Sequence, residues 1–193
     1  MRRVQDPPDL EQVDADWDRW SVVLLKPDCL RRGLVDQVLR RLSSAAAIIA
    51  RQRVQVADWQ VHVHYSDLLV NRDSFAGIDI AECLHRAYVG QDVEIALAHG
   101  AAGTPGRLRA LLGHFDPSQA EPGTIRADLG DDSLQTARAT GRLVENLVHT
   151  SDDAEAARRD FGIWFGTGHH RLVAAKSTAR LAPSDIVLTG GES

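Results

Sequence analysis

Blocks of apolar residues alternate with amphipathic segments along the chain, and this pattern predicts four strands separated by helices. Short apolar or alternating runs are typical of strands, and they occur at 20–25, 47–64, 93–97 and 143–148. We interpret 47–64 as one long or bent strand, because Val54/Val56 and Val61/Val63 alternate with polar residues. Apolar residues at helical spacing predict helices over 34–42, 79–89, 105–112 and 153–164. The order indicates an α/β (α+β) fold with helices packed on a sheet.

The two ends of the chain differ from the patterned middle. Residues 1–18 are acidic and contain prolines without an apolar period, so we expect an N-terminal arm. The patterned domain is predicted over 19–165, and 166–193 is predicted to be a C-terminal tail. Within the domain, 113–145 forms an unusually long connection in which 133–142 is predicted to be helical.

Composition narrows the class of protein. The chain has 193 residues, 44% of them hydrophobic, and its formal net charge of −5 argues against a general nucleic-acid-binding role, which needs a basic face. No apolar run is long enough for a transmembrane helix, and the N-terminus lacks the hydrophobic stretch of a secretory signal. With only two cysteines, Cys29 and Cys83, we expect reduced thiols and a cytoplasmic location.

One stretch carries candidate chemistry: Asn146-Leu-Val-His149-Thr-Ser-Asp152, followed by a helix that ends at Phe161-Gly-Ile-Trp-Phe165. Asp152 and Glu155 have the spacing of a capping box, so we predict that His149 lies at a helix N-terminus, where anions bind. Taken alone, such a histidine is more often structural. His62-x-His64 would place two imidazoles on one face of the predicted strand, but no third metal ligand is evident. His169-His170 in the tail is interpreted as a solvated pair, and no protein-bound metal is assigned to either pair.

Several motifs in order resemble those of the nucleoside diphosphate kinase family. The chain contains Lys26-Pro-Asp28 after a strand, Arg32-Gly-Leu-Val35, His64-Tyr65, Phe75-Ala-Gly77, Pro122-Gly-Thr-Ile-Arg126-x-Asp128, and the His149 stretch that ends in Gly162-Ile-Trp-Phe165. The resemblance covers roughly residues 20–165. It implies a ferredoxin-like βαββαβ sandwich with an antiparallel four-stranded sheet and a homo-oligomeric assembly.

The resemblance also implies an activity: the γ-phosphoryl group of ATP or another NTP passes to an NDP through a phosphohistidine. Mg²⁺ would arrive with the nucleotide rather than on protein ligands. His149 would be the nucleophile, and Asp160, where the family has a glutamate, would hold its other ring nitrogen across a looser or water-bridged contact. Lys26 would neutralise charge on the transferred phosphoryl group. An ordinary exposed helix aspartate remains an equal alternative for Asp160.

Five further residues are assigned to the nucleotide by the resemblance. Arg109 and Arg126 would bind its phosphates and Asn146 a sugar hydroxyl, while Tyr65 and Ser151 would lie close to the histidine. For Tyr65, a buried structural tyrosine is a serious alternative.

The chain also departs from the family pattern. Ser74 stands where the family stacks a phenylalanine on the base, Phe115 replaces a threonine that contacts phosphate, and Cys29 and Thr150 replace glycines. About ten extra residues, near 130–141, lie between Arg126 and Asn146. These departures leave two alternatives open: the same chemistry with a specialised acceptor, or a nucleotide-binding or scaffold protein that has lost turnover.

Overall fold

The computed structural model describes residues 15–70 and 79–177, with the backbone alone for 175–177. This part of the chain contains four strands and ten α-helices, together with three short 3₁₀-helices. The strands are β1 (Trp20–Leu25), β2 (Ala47–Gln55), β3 (Asp92–His99) and β4 (Val148–Thr150). The helices are α1 (Pro27–Arg31), α2 (Val35–Leu42), α3 (Asp58–His64), α4 (Ser66–Val70), α5 (Ile80–Tyr88), α6 (Thr104–Leu112), α7 (Ile125–Leu129), α8 (Leu134–Ala139), α9 (Ala154–Trp164) and α10 (Arg171–Ser177).

The strands form one antiparallel sheet in the order β2-β3-β1-β4. β1 therefore lies inside the sheet, and all six of its residues are buried. Apolar side chains cover both faces. On one face Leu24 and Ile95 pack with residues of α3, α5 and α9, and on the other Val23 and Ala96 pack with residues of α2 and α6. The predicted four-stranded antiparallel sandwich is confirmed, and it is the ferredoxin-like fold.

The prediction of a single strand over 47–64 is wrong. β2 ends at Gln55, and α3 begins at Asp58. The Gln60 side chain accepts a hydrogen bond from the backbone N–H of Ala57 at 2.9 Å, which satisfies a donor at the start of the helix. Val61 is buried while Val63 is 43% exposed. Val61 and Val63 therefore lie on opposite sides of a helix, one facing the core and the other facing solvent.

The fourth strand and the cap of the following helix also differ from prediction. β4 covers Val148–Thr150 rather than 143–148, so His149 lies inside the strand and not at the mouth of a helix. The N-cap of α9 is Asp153, whose carboxylate accepts from the N–H of Ala156 at 2.8 Å. The capping box predicted for Asp152 and Glu155 is therefore wrong: the third residue after the observed cap is Ala156, whose side chain has no acceptor for a reciprocal bond. Ser151–Asp153 form a short link between strand and helix.

Residues just outside both limits of the predicted domain pack against its core. Trp17, which we placed in the arm, contacts the ring of Phe161 with a centroid separation of 5.4 Å. After 165, Val173 of α10 is fully buried in the core cluster that contains Phe161. The limits of the domain at 19 and 165 stay a prediction. Among the described residues, no helix is long and apolar enough to cross a membrane.

Candidate active site

His149 lies on β4 directly opposite Leu24 of β1, on the sheet face that α3 and α9 cover. Its side chain keeps 19% of its surface exposed. The ring Nε2 atom faces the carboxylate of Asp160, with 3.7 Å to Oδ2, and the ring packs edge-on against His64 at a centroid separation of 4.6 Å. The Asp160 distance exceeds that of a direct hydrogen bond, in agreement with the looser contact expected of the shorter acid.

Asp160 is held from several sides. It is fully buried in α9, and Ser151 Oγ donates to its Oδ2 atom at 2.9 Å. His64 Nδ1 lies 3.2 Å from Oδ1, and Arg159 Nη2 lies 3.4 Å from the same oxygen. Asp160 is thus no exposed helix aspartate, and this alternative is wrong. Its carboxylate links three residues of the site.

Burial and charge set the protonation of this group of residues. Burial lowers the pKa of His149, and the nearby His64 lowers it further, against the opposing effect of Asp160. Burial would raise the pKa of Asp160, but its interactions with His149 and His64 outweigh burial and hold that pKa below its usual range. At neutral pH the ring of His149 is therefore neutral and Asp160 is ionised. A neutral imidazole has the free electron pair that a nucleophile needs.

Lys26 and Asn146 form a second polar group beside β4. Lys26 Nζ donates to Asn146 Oδ1 at 2.7 Å, and Asn146 Nδ2 donates to the carbonyl of Phe115 at 2.7 Å. Burial lowers the pKa of Lys26 to about 8. Asp28, which sequence reasoning left unassigned, accepts the backbone N–H of Leu147 at 2.8 Å. The Lys-Pro-Asp motif therefore fixes the backbone that precedes His149.

That backbone has an unusual conformation at Leu147, whose φ of 69° lies in the left-handed region. Its N–H is bound to Asp28, and its carbonyl accepts from the N–H of Lys26 at 2.9 Å. The Leu147 side chain is fully buried. Hydrogen bonds on both sides therefore stabilise a conformation that costs a leucine energy.

Arg126 holds the same segment from within the fold. Its guanidinium donates to the carbonyls of Gly113, Asn146 and Val148 at 3.0, 3.2 and 2.7 Å, and the residue is 3% exposed. Burial and the nearby Arg109 lower the pKa of Arg126 to about 10. The bonds to the three carbonyls use three of the five guanidinium N–H groups. Phosphate binding by Arg126 stays a prediction.

The remaining predicted residues surround this centre. Arg109 Nη1 lies 3.0 Å from Asp152 Oδ1, just after β4, and both side chains are well exposed. Tyr65 packs edge-on against His64 at a centroid separation of 4.7 Å and donates to the hydroxyl of Tyr88 at 2.8 Å. All eight predicted site residues therefore lie around β4. They are on the strand itself, next to it in the sequence, or in contact with a residue that adjoins it. Ser74 and the Phe75-Ala-Gly77 motif lie outside the described residues.

His64 is the site residue that sequence reasoning missed. It ends α3 and is buried between His149, Tyr65 and Trp164, whose Nε1 atom donates to His64 Nδ1 at 3.2 Å. His62, two residues earlier on the helix, is exposed and pairs with Asp58. The two histidines therefore do not share a face as we expected of a strand. The available signal was the His64-Tyr65 motif.

Comparison with known proteins assigns this arrangement to a family. The family model described as "Nucleoside diphosphate kinase" matches residues 20–169, which include β1–β4 and every predicted site residue. The chain belongs to the nucleoside diphosphate kinase family. The match includes the insertion, which contains α8.

Sequence relatives are found in plants and bacteria. The chain is 33% identical over 149 residues to nucleoside diphosphate kinase II, chloroplastic, of Arabidopsis thaliana, covering 77% of this chain and 57% of the relative. It is 36% identical over 146 residues to nucleoside diphosphate kinase of a Nocardioides strain, covering 75% of this chain and 95% of the relative. This nucleoside diphosphate kinase homologue thus spans less than two thirds of the length of its plant relatives.

A solved structure supports the same relationship. The nucleoside diphosphate kinase of Borrelia burgdorferi, described as a transition-state mimic with bound vanadate and ADP, superposes with a TM-score of 0.70 at 25% identity. The superposition covers 78% of this chain and 88% of that one.

Proposed function

We propose that this family member transfers the γ-phosphoryl group of an NTP to an NDP through phospho-His149. The observation that carries the proposal is the setting of the His149 ring. Nε2 faces the ionised Asp160, while part of the side chain reaches the surface and a lysine and two arginines lie around the same strand. Cationic groups around a neutral, partly accessible imidazole suit attack on a phosphate.

The transfer takes two steps in this proposal. The electron pair of His149 Nδ1 attacks the γ-phosphorus, a bond from nitrogen to phosphorus forms, and the bond to the bridging oxygen breaks as the NDP leaves with its electron pair. A terminal oxygen of the acceptor NDP then attacks the phosphohistidine, and the nitrogen recovers its pair. Asp160 stabilises the proton that remains on Nε2 throughout. Each step is an in-line displacement that needs positioning more than acid–base chemistry.

The surrounding residues have separate roles in this proposal. Lys26 neutralises the negative charge on the phosphoryl oxygens, and Arg109 and Arg126 bind the other phosphates. Asn146, held by Lys26 and the Phe115 carbonyl, offers its amide to a sugar hydroxyl. Ser151 fixes Asp160, and Tyr65 packs against His64 beside the nucleophile.

Three broader features belong to the same proposal. Mg²⁺ enters as part of the nucleotide and neutralises phosphate charge. The protein forms a homo-oligomer, which is supported by β2, a strand at the sheet edge with one partner among the described strands. The protein resides in a reducing compartment such as the cytoplasm, which is supported by Cys29 and Cys83, both free and buried.

A second candidate function keeps the phosphohistidine and changes the acceptor. Phe115 favours it, because a side chain that is 46% exposed stands where the resemblance places a phosphate-binding threonine. An apolar ring there contributes no hydrogen bond to a phosphate. A nucleotide-binding protein without turnover is the remaining alternative.

One experiment separates these functions. The purified protein is incubated with γ-labelled ATP and Mg²⁺, the acid-labile phosphoprotein is measured, and unlabelled NDPs are then added. We expect label on the wild type that any common NDP removes, and no label on His149→Ala. His62→Ala, which removes an exposed histidine of α3, is the matched control and should behave like the wild type.

The other results have distinct meanings. Label that persists in the presence of every NDP assigns a specialised acceptor. The absence of label on the wild type, with nucleotide binding retained, assigns a binding protein. Full labelling of His149→Ala rules out the assigned nucleophile.

A further inference from the structure

We propose that His64, His149 and Asp160 form a binding site for a first-row transition-metal ion such as Zn²⁺, and that the bound ion blocks the nucleophile. The site is distinct from the Mg²⁺ that travels with the nucleotide. The blocking part rests on the proposed function, whereas metal binding does not.

The donor atoms are spaced for such an ion. One ring nitrogen of each histidine and one carboxylate oxygen all lie within 4.8 Å of one another. His64 Nδ1 is 3.2 Å from Asp160 Oδ1, and His149 Nε2 is 3.7 Å from Asp160 Oδ2. Bonds of about 2.0–2.1 Å in a tetrahedron hold their donor atoms roughly 3.3–3.4 Å apart. Small side-chain adjustments therefore bring the three donors to zinc geometry.

The burial of the donors supports the same conclusion. His149 Nε2 and His64 Nε2 are buried without a hydrogen-bond partner among the described residues. A buried nitrogen without a direct partner is costly, and a metal ion at His149 Nε2 would supply the direct partner that Asp160 Oδ2, at 3.7 Å, does not. The His64 side chain is 2% exposed and the Asp160 side chain is completely buried, so water does not compete for them.

Neighbouring side chains would act on the bound ion in both directions. Ser151 Oγ donates to Asp160 Oδ2, as an outer ligand partner does around a zinc-bound carboxylate. Two contacts work against the ion. Trp164 Nε1 would lose its acceptor on His64 Nδ1, and Arg159 Nη2, 3.4 Å from Asp160 Oδ1, offsets part of the carboxylate charge. These costs favour reversible binding rather than a permanent structural ion.

The ion and the phosphoryl group exclude each other by proton placement. A neutral imidazole has one free electron pair and one N–H. When an ion takes the pair on Nε2, the proton resides on Nδ1, which can no longer attack phosphorus. Conversely, a phosphoryl group on Nδ1 leaves the proton on Nε2, which then offers the ion no pair. The site can therefore hold the ion or the phosphate, but not both.

Metal binding is tested with Co²⁺, whose visible absorption reports coordination by nitrogen and oxygen. The full chain is titrated as purified and after removal of metal by a chelator. We expect one Co²⁺ per chain at this site, displaced by Zn²⁺. His64→Asn and His149→Gln should weaken its binding by at least ~10-fold. His62→Asn, on the same helix but exposed, is the matched control and should leave the binding constant unchanged.

Phosphorylation provides a readout that needs no variant. Protein phosphorylated on His149 should fail to give the Co²⁺ spectrum, and Zn²⁺ should slow the appearance of label from γ-labelled ATP until a chelator is added. The proposal is overturned if no Co²⁺ binds, if His149→Gln binds as tightly as the wild type, or if the phosphorylated chain binds equally. If Co²⁺ binds through these residues but ATP never labels the chain, the metal site stands and the proposed kinase activity fails.

Discussion

At the scale of single residues, Asp160 determines the properties of the site. It contacts both histidines, accepts from Ser151 and lies beside Arg159. A carboxylate that is fully buried and ionised is stable only with such partners. We therefore expect a substitution of Asp160 to alter the orientation of the His149 ring more than the exposure of that ring to solvent.

Asp160→Asn should slow formation of the phosphoenzyme by roughly 100-fold, because an amide orients the imidazole less well and does not stabilise a proton on Nε2. The defect should be smaller than that of His149→Ala. Quenched-flow measurement of label incorporation gives the rate. Glu155→Gln removes a negative charge from the exposed side of the same helix and should have no effect. An unchanged rate for Asp160→Asn would return Asp160 to a structural role.

Sequence motifs predicted residues whose chemistry is local, and missed those defined by packing. Lys26, Asn146 and His149 stand in short motifs, and the structure brings them to adjoining positions. His64 was missed because its role depends on burial against Trp164 and Asp160, about 100 residues away in the sequence. The His64-Tyr65 motif marked the position, but the sequence around it does not show which distant residues pack against the ring.

At the scale of elements, the insertion near 130–141 is an ordered part of the fold. Asp132 accepts from both Nη atoms of Arg142 and from the N–H of Glu145, which closes the loop that contains α8. These bonds lower the pKa of Asp132 to about 2, although partial burial opposes the shift. Arg86 of α5 donates to the carbonyl of Gly141 at 2.7 Å. Hydrogen bonds thus hold the loop closed and attach it to the neighbouring helix α5.

Asp132→Ala should lower the free energy of unfolding by about 1–2 kcal/mol, since it removes two hydrogen bonds from the Arg142 guanidinium and leaves the Glu145 N–H without its acceptor. Urea denaturation followed by circular dichroism measures the change. Asp131→Ala is the matched control, because Asp131 is exposed and makes a surface ion pair with Arg32. Equal effects of the two variants would contradict the fastening role of Asp132.

Helices bounded by residues with strong local preferences were predicted closely, apart from the cap of α9, whereas the position of β4 and the end of β2 were not. Pro105 and Gly113 bracket α6 as expected, and Asp79 caps α5. β4 was displaced because the apolar run before it adopts no strand pairing, and only Val148–Thr150 bond to β1. The strand predicted over 47–64 failed because β-branched residues occur on both sides of its break.

At the scale of the whole molecule, the segment after the predicted domain limit helps to cover the core. α10 places the fully buried Val173 in the cluster that contains Phe161 and Trp164. Phe161 and Trp164 belong to the helix that carries Asp160. Packing by α10 therefore supports the helix that positions the acid of the site.

Val173→Ala should lower the free energy of unfolding by about 1–2 kcal/mol, through lost apolar burial and the cavity left behind. The midpoint of chemical denaturation provides the measurement. Arg171→Ala changes an exposed position of the same helix and serves as the control. If Val173→Ala is as stable as the wild type, the packing of Val173 does not contribute to the free energy of unfolding, and the interpretation of 166–193 as a tail stands.

Leu147 has a consequence for how this chain can evolve. Glycine at this position relaxes the φ of 69° but removes a fully buried side chain, whereas valine or isoleucine keeps apolar volume and makes the left-handed conformation more costly. Each of these three replacements therefore loses on one of the two counts. Leu147 therefore tolerates only an apolar side chain of similar volume that is not branched at Cβ, and this constraint lies in the backbone two residues before His149.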